Sequence, residues 1–138
     1  MGCGGDEPSA PAAPEDPPPL TKAQFIYEAD RICFSAESQI EAAADDFATQ
    51  EEPDPREVRR IVTRVVVPKL RAEAQTIRLL EPPVGDEDEV EAILAATERG
   101  ADALEGDPEA ALDGLPAPLR EAERLARAYG SRQCGLRE

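Results

Sequence analysis

Apolar residues in this chain recur at three- and four-residue intervals in four separate stretches, with proline and glycine between them. The first stretch is Phe25, Ala29, Ile32 with Cys33, Ala36, Ile40, Ala43 and Phe47. The second is Val58, Ile61 with Val62, Val65 with Val66, Leu70, Ala74, Ile77 and Leu80. Val90, Ile93 with Leu94, Thr97, Gly100 with Ala101, and Leu104 make the third, and Leu119, Ala122, Leu125 with Ala126, and Tyr129 the fourth. That spacing places each set on one face of an α-helix. The triplet Val65-Val66-Val67 would also suit a strand, but no second strand candidate exists to pair with it. The expected class is therefore all-α, an up-and-down bundle of about four helices.

Boundary residues agree with this division. Thr21 followed by Gln24 forms a capping box, so the first helix starts there and runs to about Ala48. Asp54 followed by Pro55 is a cap with proline at the first helical position, where the missing N–H costs nothing. Pro68 falls inside the second stretch, and an interior proline removes one backbone bond and crowds the preceding turn, which predicts a kink between Val65 and Pro68 or two short helices. Glu81 to Gly85 ends this helix, and Asp86 opens a third with Glu87, Asp88 and Glu89 at the positive end of its macrodipole. Gly100 is small enough to admit a neighbouring backbone. Gly106 to Ala117 reads as a connection with one short turn, and Gly130 caps a last helix that begins near Pro118.

The first twenty residues differ in kind. They hold six of the 14 prolines, four acids and no base, so residues 1–20 are expected to form a disordered, extended arm and residues 21–138 one helical domain. In polyproline II geometry, at about 3.1 Å per residue, such an arm would reach about 50 Å. Removing it leaves roughly 115 residues, enough for a single core. With 4% aromatic residues and no Trp, that core must be built mainly from Ala, Val, Leu and Ile.

A net charge of -15 repels phosphate backbones, so nucleic acid is not an expected partner. The absence of His removes the commonest general base at neutral pH and the commonest imidazole ligand. No stretch approaches the roughly 18 apolar residues that a membrane span needs. No CxxC pair has zinc-site spacing, and the acidic run from Asp86 to Glu91 lacks the order of a calcium loop. The carboxylates are abundant but form no arrangement that separates a catalytic pair from a solvated surface. A non-enzyme with no cofactor and no metal is the expectation.

Charge sorts by helix. Residues 21–54 carry nine acids against two bases, 55–80 two against seven, 81–115 twelve against one, and 116–138 three against five. In an up-and-down bundle this alternation sets opposite charges side by side along each consecutive pair. Within the second helix, Arg56, Arg60 and Arg64 follow one another at four-residue spacing, where like charges repel. Either acids of the first and third helices neutralise them, or they form an anion-binding face for a phosphate, carboxylate or lipid head group.

Cys33 lies in the first helix and Cys134 just past the last, so a bundle that brings those helices together can join them. The bridge would close a loop of about 100 residues and stabilise the fold by up to about 4 to 5 kcal/mol. An unpaired buried thiol is the competing reading for Cys33.

Two resemblances bear on function. The segment Gly2-Cys3-Gly4-Gly5 with the proline-rich arm behind it resembles the small-residue-then-Cys end of a bacterial lipoprotein signal and its tether. Further on stand Ala29-Asp30-Arg31-Ile32-Cys33, then Leu80-Glu81-Pro82-Pro83 with Gly85, then Tyr129-Gly130 with Cys134-Gly135. In order and spacing these are similar to the small two-cysteine helical lipoproteins of actinobacteria. The resemblance implies a palmitate-bearing lipid anchor on Cys3, an extracytoplasmic location at the cell membrane and a disulfide-linked helical fold. It implies no activity. The expected function is a non-catalytic envelope module that presents a helical surface to a protein or cell-wall partner. The alternative is a binding protein for a small anionic or lipidic ligand, held by Arg56, Arg60 and Arg64 or by an apolar cleft near Pro68.

Overall fold

The computed structural model describes residues 18–134, apart from the side chains of Asp46 and Ala48. Among the described residues every regular element is helical: α1 (Lys22–Ala48), α2 (Pro55–Ile61), a π-helical turn (Val62–Val66), α3 (Val67–Leu79), α4 (Glu87–Gly106), a 3-10 segment (Pro108–Asp113) and α5 (Ala117–Tyr129). The capping box is present, with the Gln24 N–H donating to Thr21 Oγ1 at 3.2 Å and the Thr21 N–H to Gln24 Oε1 at 3.0 Å. Asp54 accepts the Arg56 N–H at 3.0 Å and so caps α2. Gly130 ends α5 in the left-handed region, φ 115°, which a residue without Cβ adopts freely.

One apolar stripe continues through the π turn and past Pro68. Val58 and Ile61 are buried from α2, Val62 and Val66 from the π turn, and Val67, Leu70, Ala74 and Ile77 from α3. Within the turn the Val67 N–H donates to the Val62 carbonyl five residues back. Pro68, which has no N–H to give, comes one residue after the turn.

Two clusters make the core. Ile40, Val58, Ile61, Val62, Val66, Val67, Leu70, Ala101, Leu104 and Leu119 form an aliphatic one around the π turn. Phe25, Ala29, Cys33, Ala74, Ile77, Val90, Leu94 and Tyr129 form the other, where the Phe25 and Tyr129 rings meet edge to face at 6.1 Å. Gly100 does admit a close neighbour, but it is the Leu119 side chain of α5 and not a backbone: a Cβ at position 100 would stand 2.2 Å from Leu119 Cδ2.

The charge alternation becomes direct pairing between α3 and α4. Arg71 bonds to Asp102 at 2.9 Å and Glu105 at 2.7 Å, and Arg78 to Glu91 at 3.0 Å and to Glu98. These bonds raise both guanidinium groups above their ordinary value and hold Glu105 below its own. Arg99 of α4 and Glu121 of α5 lie 3.7 Å apart. These side chains are largely exposed, so they contribute more to choosing neighbours than to stability.

Overpacking makes Gly100→Ala a destabilising change, by about 1 to 3 kcal/mol in urea denaturation. Gly106→Ala, whose added Cβ meets nothing within 4 Å, should leave stability equal or higher.

Candidate functional site

The segment that leaves α5 returns to α1 and is fastened there twice. Cys33 and Cys134 form a disulfide with Cα atoms 5.0 Å apart. One turn before Cys33, Asp30 accepts the Ser131 hydroxyl at 2.5 Å and the N–H groups of Arg132 and Gln133 at 3.3 Å each. Ser131 Oγ in turn accepts the Cys134 N–H at 3.1 Å. Two residues three apart on α1 thus hold two residues three apart on the return segment. Nearby, the Tyr129 hydroxyl donates to Asp86 Oδ2 at 2.8 Å, tying the end of α5 to the start of α4, and Lys22 Nζ lies 4.5 Å above the Tyr129 ring. Burial, with the Asp86 bond next, holds the Tyr129 phenol above its ordinary range.

A carboxylic acid faces this joint from α3. Glu73 is 9% exposed, and its Oε1 lies 3.1 Å from Cys33 Sγ. The sulfur has no proton to donate while it is bonded to Cys134, so the proton in that contact belongs to the carboxyl group. Burial pushes the Glu73 carboxyl up to about 8, and the charge of Glu37 on α1 adds to the effect. Cys33, Glu73 and Cys134 bring their sulfur and carboxylate atoms within 4.8 Å of one another. Both sulfurs are committed to the S–S bond, which leaves the Glu73 carboxyl as the one ordinary ligand group of the three. Glu73 also stands between two spaces: a core cavity of about 40 Å³ that Cys134, Ser131 and Tyr129 help to line, and a groove of about 420 Å³ between α1 and α3. Arg31, Ser35, Gln39, Lys69 and Thr76 line the groove.

The arginines singled out by their spacing sit elsewhere. Arg56, Arg60 and Arg64 are all exposed. Arg60 is 3.9 Å from Glu57 of its own helix, while acids of α4 pair with Arg71 and Arg78 instead. Among the described residues neither Arg56 nor Arg64 has an ion pair with α1 or α4. Arg59 is the member of α2 that reaches another element, meeting Glu109 of the 3-10 segment at 3.2 Å. Cys3, the lipid-attachment candidate, and the arm as far as residue 17 lie outside the described residues.

The outer face of α1 carries Tyr27, 63% exposed, and Phe34, 61% exposed, with Arg31 between them and its guanidinium 5.9 Å from the Tyr27 ring. No family model, curated protein or solved structure matches the chain.

Sequence reasoning passed over Ser131 and Glu73, and gave Asp30 no role beyond its place in the segment from Ala29 to Cys33. Glu73 was open to notice, since the stripe from Leu70 to Ile77 puts position 73 beside Ala74 on the inward side. Asp30 carried no comparable signal, because an acid on an acidic helix looks like any other.

Glu73 sets a pH dependence with a definite sign. The unfolded chain releases this proton near 4.5, the folded one near 8, so over that window the folded state holds a proton that the unfolded state has lost. The stabilisation is complete below the lower value and is lost as pH rises through the upper one, by up to about 1.4 kcal/mol per pH unit between them. Denaturant titrations at pH 5 and pH 8 should show the wild type weaker at pH 8, and Glu73→Gln should shrink that difference.

Proposed function

We propose that this protein is a non-catalytic module of the cell envelope that is held to the outer face of the membrane through a lipid on Cys3 and presents the outer face of α1 to a protein partner. The carrying observation is the use of aromatic residues. The chain has five in all, three Phe and two Tyr, and places Tyr27 and Phe34 in solvent on one stripe of α1. Aromatic side chains with an arginine among them are the composition of binding hot spots. For a chain whose core is otherwise built from Val, Leu, Ile and Ala, leaving two large rings outside costs stability that a partner would return. The net charge of -15 opposes self-association and favours a basic partner surface.

The Cys33–Cys134 disulfide supports an oxidising, extracytoplasmic setting. We read the architecture as an up-and-down bundle of about four helices with the second bent at Pro68, a reading supported by the π turn beside that proline. The size of the core cavity and the polar lining of the α1–α3 groove, which includes Arg31, Ser35, Gln39 and Lys69, favour the surface reading over a lipidic ligand held between helices. About 40 Å³ has room for water, whereas an apolar ligand as small as benzene occupies a cavity of about 150 Å³. An anion held by Arg56, Arg60 and Arg64 is the alternative, supported by the exposure of those three side chains.

A photo-crosslinking residue at position 34, in the cells that make the protein, should yield one discrete protein adduct, and the same residue at Leu112 should not. Tyr27→Ala with Phe34→Ala should weaken the complex by about 2 kcal/mol or more with the melting temperature unchanged. Equal adducts at both positions, or none, would remove the α1 face from consideration. For the tether, the intact mass of the native protein should carry a diacylglycerol-sized increment on Cys3, and an unmodified Cys3 would end that part of the reading.

A further inference from the structure

A disulfide that only staples a fold needs two cysteines and nothing more. Here three further features meet at the bond. Asp30 holds the return segment through Ser131, Arg132 and Gln133, an attachment to α1 that does not run through the S–S bond. The core cavity reaches Cys134, Glu73 and Ser131, which leaves room for two sulfurs to separate. A buried carboxyl group touches one sulfur and not the other: Glu73 Oε1 is 3.1 Å from Cys33 Sγ, while Cys134 Sγ rests 3.5 Å from the Ala29 carbonyl.

We infer that Cys33–Cys134 is an exchangeable disulfide, opened by a dithiol while the domain stays folded, with attack at Cys134 Sγ and with Glu73 supplying the proton to Cys33 Sγ. Two observations agree on the direction. Cys33 has no exposed surface and Cys134 is half-buried, so the nucleophile reaches Cys134. The acid stands at Cys33, where the leaving charge would otherwise be a thiolate buried in an apolar cluster.

A thiolate of the dithiol bonds to Cys134 Sγ, the S–S bond breaks, and its electron pair stays on Cys33 Sγ, which takes the proton from Glu73. The second thiol of the reagent loses its proton to water and attacks the reagent's sulfur in the mixed disulfide. The reagent leaves as its own disulfide, oxidised by two electrons, and Cys134 departs as a thiolate that water protonates. Glu73 regains its proton from solvent. In the reverse direction the Glu73 carboxylate takes the proton from Cys33 as that sulfur attacks.

The charged and titratable neighbours of Glu73 set its behaviour. From α1 these are Glu37 at the cavity and, across the groove, Glu28 and Arg31; Lys69 lies on its own helix; and the return segment brings Cys134. From α4 and α5 the cavity receives uncharged residues such as Leu94, Thr97 and Ala126, together with the titratable phenol of Tyr129, which burial holds above its ordinary range and so protonated. With its carboxyl pushed up to about 8, Glu73 still holds the proton at neutral pH.

The test is the rate of reduction by dithiothreitol from pH 6 to 9.5, divided by the concentration of reagent thiolate, for the wild type and Glu73→Gln, with helical circular dichroism recorded on the reduced protein. The reduced wild type should stay helical. Its normalised rate should fall as pH rises past about 8, where Glu73 gives up its proton. Glu73→Gln should be slower at pH 7 by about tenfold or more and lack that inflection. A purely structural Glu73 would change stability and leave the normalised profile flat. Coincident profiles, loss of helix on reduction, or a rate equal to that of global unfolding would each overturn the inference. Should Glu73→Gln fail to fold, a wild-type profile with no fall near pH 8 is sufficient to overturn it.

Discussion

No Cα atom of α1 comes within 8 Å of one in α4 or α5, so α1 and α5 are held together by side chains and by the segment that follows α5. The rest of the structure depends on that connection. α4 packs on α3 and on α5, and α1 packs on the α2–α3 helix, which leaves the two sides sharing one long helical partner. Cys33–Cys134 and the Asp30–Ser131 bond close the circuit at one end of the domain, across 101 residues of sequence. In chain-entropy terms a closure of that span is worth about 4 to 5 kcal/mol, a large share of the stability of a domain this size.

The opposite end is closed mainly by packing, with the exposed Arg59–Glu109 pair beside it. Val58, Val62 and Val67 are among the most fully buried side chains, and all three sit on the helix that contains the π turn. β-branched residues are stiff at χ1, so a cluster of them fits one arrangement of its neighbours and little else. Val62 and Val66 of the π turn carry the stripe from Val58 and Ile61 on to Val67 and Leu70, so both halves of that helix face the core. The two ends are therefore of different kinds, one covalent and polar, the other aliphatic.

Between them lies the group most costly to keep. Glu73 follows Leu70 of the aliphatic cluster and precedes Ala74 of the disulfide cluster, where a charged carboxylate would be stranded in apolar surroundings. It is held as the neutral acid against Cys33. A chain with a net charge of -15 thus has, at its centre, a carboxyl group that is not charged at neutral pH. Composition could not have picked it out.

Much of the architecture was legible in the residues themselves. The caps Thr21, Asp54 and Gly130, the breaks at Pro53 and at Pro82-Pro83, and the periodic stripes act within a few residues of one another, so helix existence and most boundaries follow from local rules. The pairing of Cys33 with Cys134 was legible too, because few other roles suit a cysteine in so polar a tail. The sequence by itself determined which segments are helical, which face of each turns inward and which thiols can meet. Only the tertiary structure decided that Glu73 touches Cys33, that Asp30 holds Ser131, that Arg71 and Arg78 find the acids of α4 while Arg56 and Arg64 do not, and that Tyr27 and Phe34 remain outside. Those outcomes turn on the rotation and offset of whole helices against one another, where a change of one residue moves a side chain by about 100° around its axis.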